Sequence, residues 1–129
     1  MKTRLRYRKK SDRFVIAIQL DLDTAGFRYR KWGAEQFCKP GDWLVDNEGD
    51  IYTIDRDVFG QTYCQVQPGR YVKITPVWAE VATKPGIVET KEGSSHYQKG
   101  DYLVYNNQDG ADAYCVVADV FESMYESDE

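Results

Sequence analysis

The chain has 129 residues, a formal net charge of −4 at pH 7, and apolar and charged fractions of 42% and 29%. Those fractions are ordinary for a globular protein, and a half-chain of about 60 residues would bury only a thin core alone, so two halves sharing one core are expected. Three cysteines, at 38, 64 and 115, with no Cys-x-x-Cys, argue against a disulfide framework or a zinc site. The apolar run at 14–18 is too short for a secretory signal or a bilayer span, so a reduced, cytoplasmic protein with no membrane contact is expected.

Residues 2–8 alternate, with Lys2, Arg4, Arg6 and Arg8 on one parity and Leu5 and Tyr7 on the other. That period of two reads as a strand with one solvated face. Residues 14–20 form a nearly continuous apolar, β-branched run, as in a central strand. A turn at 21–26 leads to a short strand at 27–32 and a connector at 33–39. Pro40-Gly41 is a turn signal, because Pro fixes one dihedral and Gly tolerates positive φ. A strand at 42–45, a turn at 47–50 and a return at 51–54 make a hairpin. Residues 56–59 read as one helical turn with Asp55 or Asp57 as N-cap. After a turn at 67–70, residues 71–82 read as one long or kinked strand, with Pro76 marking an edge or bulge. A short strand at 87–90, a loop at 91–95, a second hairpin, a second helical turn and a frayed acidic terminus complete the chain.

The second half restates the first. Gly41-Asp42-Trp43-Leu44-Val45 returns as Gly100-Asp101-Tyr102-Leu103-Val104, 59 positions on. Asp57-Val58-Phe59 with Tyr63 returns as Asp119-Val120-Phe121 with Tyr125, 62 positions on, so the turn around 108–112 is longer in the second copy. Two copies of about 60 residues are too few for a solenoid. The expected fold is therefore mainly β: two pseudo-symmetric repeats, 1–66 and 67–129, forming small barrel-like or sandwiched sheets with short helical turns in one compact unit.

The net charge hides a gradient. Residues 1–13 carry seven Lys/Arg against one acid, and residues 109–129 carry seven acids and no Lys or Arg. Either the two ends lie together and attract, or the basic end is an arm for nucleic acid.

Lys39-Pro40-Gly41-Asp42-Trp43, with Gly49-Asp50-Ile51-Tyr52 after it and Tyr7-Arg8-Lys9-Lys10 before it, resembles the Pro-Gly-Asp-Tyr motif family of small bacterial and phage proteins. The second copy departs from that motif with Lys99 in place of Pro. The resemblance implies no reaction, no cofactor and no catalytic residues.

Asp42 and Asp101 each follow a turn glycine, which suits a carboxylate that ties down backbone N–H groups better than an acid/base pair. Asp57 and Asp119 read as helix caps. His96 is the only histidine, with no metal-spaced set around it; the repeat places Cys38 beside it, so a Cys–His pair is a candidate for thiol chemistry, one that lacks a third group. No phosphate loop and no dinucleotide fingerprint occur. The aromatic and basic residues near the turns, Arg28, Arg30, Trp32, Trp43, Tyr102 and Tyr105, are the candidate binding set. The leading expectation is a non-enzymatic module, without metal or cofactor, that binds a protein partner or a small ligand. The alternative is an RNA or single-stranded DNA binder, using the basic N-terminal segment and base stacking.

Overall fold

The computed structural model describes residues 4–10, 12–110 and 113–128. Among them the chain is mainly β, with β1 (Leu5–Lys9), β2 (Val15–Gln19), β3 (Phe27–Lys31), β4 (Ala34–Cys38), β5 (Trp43–Asn47) and β6 (Asp50–Ile54) before helix α1 (Arg56–Thr62). Then come β7 (Tyr63–Gln67), β8 (Arg70–Lys73), β9 (Val77–Val81), β10 (Gly86–Glu89), β11 (Ser94–Tyr97), β12 (Tyr102–Tyr105), β13 (Ala113–Val116), helix α2 (Ala118–Met124) and β14 (Tyr125–Ser127). One five-stranded antiparallel sheet has the order β6-β5-β2-β8-β7, and the other has β13-β12-β9-β1-β14. Neither closes into a barrel; the hairpins β3-β4 and β10-β11 stand as two-stranded sheets beside them.

The two large sheets match strand for strand, in register as well as order. Val15 faces Tyr71 in the first sheet and Val77 faces Tyr7 in the second; Tyr63 faces Lys73 in the first and Tyr125 faces Lys9 in the second. The strand equivalent to β8 is therefore β1, from the far end of the chain. Arg70-Tyr71-Val72-Lys73 and Arg6-Tyr7-Arg8-Lys9 are the same element in two sheets. The sheets thus do not follow a cut at 66/67: residues 70–73 belong to the first and residues 5–9 to the second.

Each sheet is covered on its inner face by its own helix, and the packing repeats. Phe59 of α1 is stacked between Trp43 at 4.1 Å and Tyr63 at 4.6 Å, with the edge of Tyr71 at 5.1 Å. Phe121 of α2 is stacked between Tyr102 at 4.1 Å and Tyr125 at 4.7 Å, with the edge of Tyr7 at 5.0 Å. Each such ring pair adds about 0.5–1.5 kcal/mol beyond the apolar area it buries. Val15, Ala17 and Val45 complete one core, and Val77, Ala79 and Val104 the other.

The Gly-Asp turns dock on the central strands in the same way. Gly41 and Gly100 hold φ of +85° and +97°, a region that side chains with a Cβ rarely adopt. Gly41 N–H donates to the Leu20 carbonyl, and Gly100 N–H donates to that of Ala82. The carboxylates close the turns: Lys39 N–H donates to Asp42 and Gln98 N–H to Asp101, both at 2.9 Å. Asp42, 1% exposed, also accepts from Arg56 N–H and from the Lys39 ammonium.

Several expectations are corrected. The connector at 33–39 contains β4, which pairs residue for residue with β3. Residues 71–82 are two strands in different sheets, and Pro76 lies in the crossover between them. The acidic terminus contains β14, which β1 holds in register. Asp57 and Asp119 sit inside the first helical turn rather than at the cap. Asp55 caps α1, accepting from Asp57 and Val58 N–H; Val117 holds the cap position of α2 and offers no side-chain bond.

Candidate functional site

The six candidate binding residues do not form one surface. Trp43 and Tyr102 are equivalent and are stacked on Phe59 and Phe121. Tyr105 is buried on the other face of its sheet, donating to Glu80 at 2.8 Å under the Arg4 guanidinium. Arg28 lies on the outer hairpin, paired with Glu35 at 3.0 Å, and Arg30 is exposed on the same strand. Trp32 alone reaches the cavity described next, with its ring 5.7 Å from that of Tyr52.

The basic N-terminal strand is not a free arm. β1 is sandwiched between β9 and β14. Arg8 meets Glu126 at 2.8 Å and Arg6 meets Asp128 at 3.2 Å. Cys38 is 1% exposed, and burial, then Asp42, pushes its thiol up, away from the thiolate that nucleophilic chemistry needs. Asp42 and Asp101 are held by the turn bonds already given. Among the described residues no cluster of His, Cys, Asp and Glu has the makings of a metal site, and no helix is long and apolar enough to cross a membrane.

What the fold does bring together is a cavity of about 260 Å³ between the two sheets. Its walls come in equivalent pairs: Lys73 and Lys9, Tyr52 and Tyr114, Tyr63 and Tyr125, Asn47 and Asn106. The lysines point inward because Lys9 shares the parity of Leu5 and Tyr7, while Arg6 and Arg8 take the other face. Burial holds all four tyrosines in their neutral form well above the usual range.

The two lysines are in different states. Lys73 is satisfied across the sheet interface, donating to Asn106 Oδ1 at 3.1 Å and to the Tyr114 hydroxyl at 2.9 Å. Lys9 has no hydrogen bond and no ion pair among the described residues; its ammonium lies 5.6 Å from the Tyr125 ring centre. Burial and, next, the charge of Lys73 push the Lys9 ammonium down to about 8. The acid that opposes this push, Glu48, is engaged by Arg13 at 2.7 Å.

Asn47 stands where Asn106 stands in the other half. It is 9% exposed; its amide donates to the Tyr52 hydroxyl at 3.2 Å and to Met124 Sδ at 3.4 Å, and its Oδ1 is buried with no partner. The acids that touch the cavity are occupied: Asp50 by Lys31 at 2.7 Å, Glu92 by Asp55 N–H, and Asp101 by its own turn. The cavity therefore holds three lysine ammoniums, of which Lys91 is paired with Asp55 at 3.8 Å, with phenolic hydroxyls and an unpaired amide head inside aromatic walls. That combination stabilises an anion, because the ammonium of Lys9 is desolvated and unneutralised.

Sequence reasoning missed this set. Its signal was the recurrence of Arg-Tyr-x-Lys, at 6–9, 28–31 and 70–73, together with an inward-facing lysine in a strand otherwise read as solvated. Comparison with protein-family models, with curated proteins and with solved structures found no match.

Proposed function

We propose that this protein is a non-enzymatic binding module for a small organic anion, taken up in the cavity between the two sheets. The observation that carries this reading is Lys9: a half-buried ammonium without hydrogen bond or ion pair among the described residues, facing an aromatic-walled cavity. Buried charges in folded proteins are normally paired, and an unpaired one calls for a counter-charge from outside. The volume suits a metabolite-sized ligand with an apolar body. A protein partner would have to offer a single side chain to such a space, which favours the small ligand over the protein. The nucleic-acid alternative has less support, since Arg6 and Arg8 are neutralised within the sheet and the stacking aromatics are engaged in the cores. Membership of the Pro-Gly-Asp-Tyr family and a cytoplasmic setting are proposed with it, on the turn residues and the free cysteines.

Ligand-observed NMR tests the reading. The wild-type chain is screened against small aromatic and aliphatic carboxylates and against the amides or alcohols of the same shape. Carboxylates should bind about tenfold or more tighter than their neutral counterparts, as expected for a charge-assisted bond in a desolvated site. Lys9→Met should abolish that difference. No binding by any carboxylate, or equal binding of charged and neutral forms, contradicts the proposal.

A further inference from the structure

Lys73 shows what its equivalent lacks. Its ammonium is satisfied by an asparagine carbonyl and a tyrosine hydroxyl of the opposite sheet. The corresponding groups for Lys9 are Asn47 and Tyr52, and there Tyr52 is taken by the Asn47 amide while the Asn47 carbonyl is left alone. Lys9 and Asn47 line one cavity. The same local arrangement is thus closed on one side of the pseudo-dyad and open on the other. In the observed orientation the Asn47 Oδ1 is the head atom buried without a partner. A bound group at this point must therefore do two things: accept from Lys9 and pair with the Asn47 head. A hydroxyl meets either orientation of the amide, because it both donates and accepts.

Resting on the anion reading above, we infer that the ligand is an oxyanion with a neighbouring hydroxyl, as in a 2-hydroxycarboxylate: its carboxylate takes Lys9 and its hydroxyl takes Asn47. The ligand then completes on the open side the set of bonds that Lys73, Asn106 and Tyr114 make on the closed side. Lys73 is the tie between the sheets; Lys9 is the ligand's counter-charge.

Matched acids that differ only in the hydroxyl test this. Mandelate and phenylacetate, with lactate and propionate as a smaller pair, are titrated into the wild-type chain by calorimetry. A site with an unpaired buried polar group discriminates strongly against the analogue that leaves it unpaired. The hydroxy acid should bind roughly tenfold tighter in at least one pair. Asn47→Leu should bring that ratio to one. Should that variant not fold, the wild-type ratio stands alone, and the side-chain amide resonances of Asn47 should shift with mandelate and not with phenylacetate. Equal binding of both members of each pair overturns the hydroxyl assignment and leaves the anion reading standing. Binding of neither overturns both.

Discussion

Lys73 and Lys9 occupy equivalent places in the two sheets, each directly opposite a tyrosine of the neighbouring strand, Tyr63 or Tyr125. One is bonded to Asn106 and Tyr114; the other, among the described residues, has no hydrogen bond or ion pair and lies by the Tyr125 ring. The aromatic stacks, the glycine turns and the strand registers agree between halves, so the fold as such does not ask for this difference. A scaffold that repeats its packing and breaks the repeat at one buried charge points to that charge as the place where something else is selected. A second break, the caps, concerns stability alone: Asp55 satisfies the first turn of α1, and Val117 leaves that of α2 without a side-chain acceptor.

The largest expected effect tests the strand equivalence itself. Deleting residues 1–10 removes β1 from the middle of the second sheet and leaves β9 and β14 with facing unpaired edges. The ion pairs to Glu126 and Asp128 are exposed, and each contributes only about 0–1 kcal/mol. Loss of the strand far exceeds that, and the truncated chain should show no cooperative thermal transition. A melt at the full-length temperature would mean that the second sheet does not need β1.

Next come the turns. Gly41→Val and Gly100→Val should each lower stability by about 1–3 kcal/mol in urea, because both positions hold positive φ. The halves should differ here. A Cβ at Gly41 would also approach the Arg56 side chain at 3.3 Å, whereas nothing lies within 4 Å at Gly100, so the first substitution should cost more. Equal costs would show that backbone strain alone decides.

The pH dependence sharpens the contrast further. Lys9 is held at about 8 in the folded chain against an ordinary value of 10.5. Between those values the unfolded chain carries more protons at this site, so stability should rise with pH, by about 1–2 kcal/mol once solvent screening of a half-buried group is allowed for. The four cavity tyrosines act in the opposite sense. Their folded values lie above the unfolded value near 10, so the stability they contribute is full below that pH and is lost above it. Urea midpoints should therefore climb from about pH 8 and fall beyond about pH 10. Lys9→Met should flatten the climb and leave the fall.

The smallest effect concerns the caps. Asp55→Ala should cost about 1 kcal/mol. Val117→Asp should recover a few tenths to about 1 kcal/mol by giving α2 the acceptor that α1 has. A destabilised Val117→Asp chain would show that Val117 packs where the repeat suggests it only caps.

Much of the scaffold was legible because it rests on local chemistry. Pro40-Gly41, Gly49 and Gly100 announce turns, the run at 15–19 announces a central strand, and Asp-Val-Phe marks both helices. What escaped depends on distant parts of the chain. β1 is legible as a strand but not as a member of the second sheet, since its partner β14 lies 118 positions away at Arg8 and Glu126. β4 and β14 are weak strand formers by composition, Ala-Glu-Gln and Tyr-Glu-Ser, and pairing with β3 and β1 overrides propensity. The cavity escaped because its pairs come from separate strands and because Arg-Tyr-x-Lys at 6–9 and 70–73 is offset by 64 positions, out of phase with the 59 and 62 of the rest of the repeat. The aromatic residues singled out instead, Trp43 and Tyr102, were conspicuous by type and belong to the cores.

The division of roles between the two lysines is tested most directly by removing each in turn and measuring unfolding in urea at pH 7 without ligand. Lys73→Met leaves Asn106 Oδ1 without its donor and removes one bond to the Tyr114 hydroxyl, and should destabilise the chain by about 1–3 kcal/mol. Lys9→Met removes a desolvated charge that has no hydrogen bond or ion pair among the described residues, and should leave stability unchanged or raise it. Equal losses from both substitutions would contradict the distinction between a structural lysine and one held open for a ligand.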